Sequence, residues 1–301
     1  MEGLPFSVRS TDAAFLDVLR GYAGEHLVES HEGWATLFSA DCGETRTMAG
    51  GKVVHGISRL YSNGLKIFEG RVQDEMAGRL ISGVRDLATQ HSNEYVRIRA
   101  GGVVVDGAAI LLPSPPEPHL PTLTGMLVQR GGGFLGDEVV NVDPVLRRAH
   151  GLPLPLLIDG FDLPLFPHVV RERTRRKTRG TPEEVQAKTP RRPVPVEELG
   201  GVRAAPAPIR WLVFPFFEEG AETRLEPFGG AAALFRFTEA TLNLHVWTDR
   251  AFVLQRQLMD TVPVSRLVVG GSLEEAADAV WSGARELVGG SPARSTESGR
   301  G

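Results

Sequence analysis

Between Val103 and Glu138 the chain sets an order of segments that few folds accommodate. Two apolar strand segments, Val103–Val105 and Ala108–Leu112, run into a loop dense in proline, SPPEPHLP at 114–121. An amphipathic helix, Thr122–Arg130, follows. A second short strand then ends in the acidic pair Asp137–Glu138. Strand, loop, helix and strand in this order predict an α/β fold, with the loop at the edge of a sheet and the acids at a neighbouring strand end.

The same order frames a phosphate-binding loop, whose working form reads Gly-x-x-x-x-Gly-Lys-Ser/Thr. There the glycines let backbone N–H groups turn onto the phosphates, the lysine adds positive charge and the hydroxyl holds Mg²⁺. Here Ser114 stands at the first glycine position and His119 at the second. Leu120 stands at the lysine, Pro121 at the hydroxyl, and Thr122 follows one place later. Pro115, Pro116, Pro118 and Pro121 each lack a backbone N–H, which removes four donors from such a cradle. His119 and Leu120 put side chains where a pyrophosphate needs close backbone approach. The frame persists without most of its chemistry.

Composition narrows the remaining classes. The chain has 301 residues, 42% hydrophobic and 23% charged, as in globular proteins with ample core. A net charge of −4 gives no global pull toward nucleic acid or an anionic membrane. The single cysteine, Cys42, excludes an internal disulfide and a cysteine-only metal site. No apolar run of ~18 residues and no basic-then-apolar leader pattern are present, so a cytoplasmic protein is expected.

Periodicity divides the chain further. Residues 11–24 and 73–91 read as helices, the second with Met76, Leu80, Val84 and Leu87 on one face. Between them lie strand-like runs, Trp34–Phe38, Lys52–Ile57 and Lys66–Phe68, with a hairpin signal at Asn63-Gly64. A small α+β region over 1–92 is expected to precede a core over 93–288. Residues 171–195 are charged and poor in apolar side chains, which reads as a mobile insert. A strand over 209–218 is expected to end near Pro215, and Gly230–Phe237 and Thr241–Leu244 read as helical. A helix over 249–261, a strand over Ser265–Val269 and a helix over Leu273–Leu287 capped by Ser272 follow. Residues 289–301 read as a disordered tail.

From Tyr95 to Leu287 these pieces resemble the HPr kinase/phosphorylase-related family, the PEP-carboxykinase-like branch of P-loop serine kinases. The resemblance rests on YVRIRAGGVVVDGAAILLP, then TLTGMLVQRGGGFLGDEVVNVD, and late in the chain on RWLVFPFFEEGAETRLEPFGGAAALFRF, TLNLHVW and VPVSRLVVGGSLEEAADAV. It implies an α/β, HPr-kinase-like P-loop core. In the family, the acid corresponding to Asp137 acts as base toward an acceptor hydroxyl and helps hold metal, with Glu138 beside it. The family's strand histidine falls at Arg99. With the loop residues replaced, the resemblance implies a catalytically degenerate kinase homologue that needs no cofactor and acts by binding a protein or peptide, with self-association left open. The alternative is an active ATP- and Mg²⁺-dependent serine kinase with a phosphate site rebuilt from Arg99, Thr122 and Asp137.

Each candidate residue also has a plainer role. Asp137 and Glu138 at a strand end could be solvated acids, and Arg99 could pair with Asp106 or Asp137. His119 lacks a second histidine or cysteine at ligand spacing. The basic run Arg171–Arg179 lacks interleaved aromatics, as a solvated linker would.

Overall fold

The computed structural model describes residues 6–23, 36–49, 51, 53–91, 94–152, 154–169 and 191–289. Expectations for residues 170–190 and for the tail from 290, as for Trp34 and Lys52, lie outside them.

The N-terminal part contains β1 (Phe6–Ser10), α1 (Ala13–Ala23), β2 (Thr36–Asp41), β3 (Thr45–Thr47), β4 (Val53–His55), β5 (Ser58–Ser62), β6 (Leu65–Gly70) and α2 (Gln73–His91). Four of these strands form a sheet in the order β1-β2-β5-β6. The expected Asn63-Gly64 hairpin joins β5 to β6. Both residues have positive φ, 47° and 86°, as the tight turn demands. Helix α2 spans the residues its periodicity predicts. Met76, Leu80 and Val84 are buried against Phe15, Phe38 and Leu60.

The larger part contains β7 (Val96–Ile98), β8 (Ala100–Val105), β9 (Ala108–Pro113), α3 (Leu120–Gln129), β10 (Gly133–Gly136), β11 (Val140–Val142), β12 (Arg148–His150), β13 (Leu156–Asp159), β14 (Arg191–Val194), β15 (Ala207–Phe217), β16 (Arg224–Pro227), α4 (Gly230–Glu239), α5 (Leu244–Thr261), β17 (Val264–Val269) and α6 (Leu273–Gly289). One nine-stranded sheet runs β10-β8-β9-β15-β12-β11-β7, with β17 against β15 and β16 against β17. The chain is therefore mixed α/β, with several sheets and six helices among the described residues.

Alternation along β8 and β9 loads both faces of this sheet. Val103, Ile110 and Leu112 pack with Leu123 and Leu127 of α3 and Val280 and Ala284 of α6. Ala109 and Leu111 face the other way, with Phe214 against Phe237 of α4 and Leu254 of α5. Helix α3 lies close on β8 because Gly101 has no side chain there. A Cβ at Gly101 would sit 2.2 Å from the Thr124 hydroxyl oxygen. The sheet edges at β7 and β10 are covered. At β7, Leu242 donates its N–H to Arg97 O and Arg97 N–H donates to the Asn243 side chain. At β10, Phe134 N–H donates to Val202 O.

Arg191–Val194, assigned by sequence to the mobile insert, is a strand paired antiparallel with β13. Its two arginines pair with Glu138 and Asp74 while Val194 is buried, so low apolar content misled the reading. Strand β15 does not stop near Pro215 but continues to Phe217. Leu212 N–H donates toward β17. By alternation Pro215 would present its nitrogen to the other side, beyond the last β9 pairing at Leu212–Leu111, where no ladder bond is lost. Thr241 is not helical. It makes an isolated bridge with Ile98, and only Leu244 belongs to a helix. Thr248, at φ 41° and ψ −121°, breaks α5, so regular helix begins at the expected 249.

Candidate functional site

Strand β10 delivers Asp137 and Glu138 to a position beside α2 and β14. They are not solvated acids. Asp137 is 2% exposed. One of its carboxylate oxygens accepts from Arg85 Nη2 at 2.8 Å, and the other accepts the Leu157 N–H at 2.7 Å. Arg85, 5% exposed, also donates to Glu138, and its Nη2 reaches the Pro155 carbonyl at 3.3 Å. Arg191 of β14 donates to the other Glu138 oxygen. Burial pushes the Asp137 carboxyl up against the pull of Arg85. Burial also pushes Glu138 up, but Arg85 and Arg191 together outweigh it and hold the carboxyl below its ordinary range. One guanidinium thus bridges two carboxylates, and four polar groups fill each other's valences.

The loop after β9 is closed in a comparable way. Ser114, buried, donates its N–H to Arg99 O as the chain leaves the sheet. Helix α3 starts at Leu120, two residues before the expected Thr122, with Pro121 in its first turn where a missing N–H costs nothing. Two of the amides near this end are engaged. Leu120 N–H donates to Glu117 O at 3.3 Å, and His119 N–H makes a long contact of 3.4 Å to the Glu117 carboxylate. Glu117 therefore places a carboxylate at the positive end of the helix.

Two further acids come from the end of β13 and the turn after it. Asp162 Oδ2 accepts from the buried Thr122 hydroxyl at 2.6 Å and lies 3.0 Å from His119 Nδ1. That hydrogen bond raises the His119 pKa above its ordinary value, against desolvation. Asp159 acts on His119 at longer range, and burial pushes both Asp159 and Glu117 up. Glu117, Asp159 and Asp162 therefore surround His119 at the start of α3. Among the described residues, no group of three or more His, Cys, Asp or Glu side chains is arranged to hold a metal ion.

The sequence-derived candidates thus fall into two groups. Ser114, His119, Leu120, Pro121 and Thr122 surround the start of α3, and Asp137 and Glu138 sit with Arg85 and Arg191. Arg99 makes neither of the ion pairs expected for it. Its backbone N–H donates to Ala240 O, and Asp137 takes Arg85 instead. Arg85, Arg191, Asp159 and Asp162 were not singled out by sequence reasoning. Arg85 sits on α2 some fifty residues before its partners, and no local spacing signals that contact.

No family model matches this chain, and no curated protein matches it. Among solved structures, it is similar to the HPr(Ser) kinase/phosphatase from Coxiella burnetii, at 11% identity and a TM-score of 0.29, over 64% of this chain and 93% of that one. A likeness at that score carries no argument about function. Among the described residues no helix is long and apolar enough to cross a membrane.

Proposed function

We propose that this chain is a catalytically degenerate relative of the HPr-kinase-like serine kinases, with an N-terminal region over 1–92 and a P-loop-derived core over 93–288, that acts by binding a protein or peptide. The observation that carries this is the charge at the start of α3. Glu117, Asp159 and Asp162 crowd the loop around His119, where in this reading a nucleotide's phosphates would have needed cations and free amides. Like charges 4 Å apart repel by roughly 1 kcal/mol in water and about 4 kcal/mol near a protein surface, and a triphosphate meets several such pairs. Ser114, His119, Leu120, Pro121 and Thr122 are the remnant loop, and Asp137 and Glu138 the remnant acids. In this reading neither ATP nor Mg²⁺ is used.

An active kinase with a rebuilt phosphate site would need Thr122 and Asp137 available, yet Thr122 donates to Asp162 and Asp137 accepts from Arg85. The discriminating experiment is phosphoryl transfer from radiolabelled ATP, with Mg²⁺ or Mn²⁺, to serine-bearing peptides and to the chain itself. We expect no transfer above that of an Asp137→Asn control. Transfer that Asp137→Asn abolishes would establish the kinase reading.

A further inference from the structure

Among the described residues four buried side-chain nitrogens have no hydrogen-bond partner: Arg97 Nη1, His150 Nε2, Arg236 Nε and Arg266 Nε. The last two belong to guanidinium groups that lie over the Phe216 ring, 4.8 Å and 4.5 Å from its centroid. The ring face compensates them in part. Arg97 and His150 have no such explanation, and they flank the same residue of the strand between them. Arg97 of β7 is directly opposite Asn141 of β11, and Asn141 is directly opposite His150 of β12. Directly opposed residues share a sheet face, so all three project from the same side.

Their side chains converge. Arg97 Nε donates to Asn141 Oδ1 at 3.2 Å, which draws the guanidinium toward the middle strand. His150 reaches back across that strand, its ring 4.9 Å from the ring of Tyr95, two residues before Arg97. The backbone of Arg97 is pinned by Asn243 and Leu242, and Asn243 and Trp247 both donate to Tyr95 O. The cluster is therefore built rather than draped on the surface.

Its charge is unbalanced. Arg97 is 3% exposed and makes no ion pair among the described residues. Its nearest acidic influence is Glu94, which is exposed. His150 faces Asp143 and Arg148, whose effects oppose each other. A buried guanidinium whose one side-chain acceptor is a neutral amide is costly unless something negative completes it. We propose that Arg97, Asn141 and His150 form a binding site for a small oxyanion, a phosphate-type ion or a carboxylate, received by Arg97 Nη1–H and His150 Nε2–H. The site is on the β7–β11–β12 face and does not depend on the loop at α3.

The test is thermal unfolding of the full chain in sodium phosphate, sodium acetate and sodium chloride at matched ionic strength. We expect a saturable rise in Tm with phosphate or acetate over chloride. A response to phosphate alone assigns a tetrahedral anion, and one that acetate reproduces assigns a carboxylate. Arg97→Met should weaken the apparent affinity about tenfold or more, the loss expected for one charge-assisted contact. If Arg97→Met does not fold, the His150 ring resonances of the wild-type chain serve instead. They should shift with the anion, and the His150 pKa, held down by burial without it, should rise. Equal Tm in all three salts with unmoved His150 resonances would overturn the proposal, as would anion binding that Arg97→Met leaves unchanged.

Discussion

Replacing Arg85 with methionine keeps much of its apolar stem on α2 and deletes the guanidinium that joins Asp137 to Glu138. The magnitude follows from what is left behind. Removing one partner of a buried ion pair costs about 3–5 kcal/mol, because the other charge stays buried without compensation. Here two carboxylates lose a donor, yet each keeps one: Asp137 retains the Leu157 N–H, and Glu138 retains Arg191. We therefore expect the low end of the range, about 3 kcal/mol, read from urea unfolding with the slope held common. Arg85→Lys should recover little, since an ammonium on a flexible stem does not span two carboxylates as a planar fork does. In an Asp137→Leu background the cost of Arg85→Met should fall by at least ~1 kcal/mol, because the two sites share one network. A single-mutant cost below ~1 kcal/mol, or full additivity with Asp137→Leu, would refute the reading of Arg85, Asp137 and Glu138 as one buried network.

Two other predictions concern the loop and its support. His119 should titrate above its unperturbed value in a histidine NMR experiment and return toward it in Asp162→Asn, whose amide no longer stabilises an imidazolium. Because the folded pKa is raised, the stability His119 contributes is fully present below the unfolded pKa and fades as pH rises through the folded one. Asp162→Asn should flatten that part of the stability profile, and an unchanged profile counts against the contact. Gly101→Ala should destabilise by about 1–3 kcal/mol, the usual cost of overpacking, because its Cβ meets the Thr124 hydroxyl. Thr124→Ser in the same chain keeps that hydroxyl and should not relieve the clash, whereas Thr124→Ala should.

Much of the architecture was legible because it is written in short-range patterns. The 3.6-residue recurrence of Met76, Leu80 and Val84 delivered α2 to its ends, and the Asn63-Gly64 pair delivered its hairpin. Ser272 does cap the last helix, accepting the Glu275 N–H at 3.2 Å. What failed was long-range. Pro215 reads as a strand terminator unless one knows which side of β15 has already lost its neighbour. Arg191–Val194 reads as linker unless one sees β13 waiting to pair. At the candidate site, the sequence supplied the loop and the acid pair but not their partners. Asp137 and Arg85 are 52 residues apart, and Thr122 and Asp162 are 40 apart. Contacts at those separations leave no mark on local composition, so a reader of the chain sees acids and a hydroxyl at work positions and not the side chains that already hold them.

Isothermal titration of Mg-ATP into the full chain asks whether the loop before α3 receives a nucleotide. No saturable heat is expected at millimolar ATP, with or without Mg²⁺, and no change when Thr122→Val removes the hydroxyl. A one-site isotherm with a dissociation constant in the low-micromolar range, weakened by Thr122→Val, would contradict it.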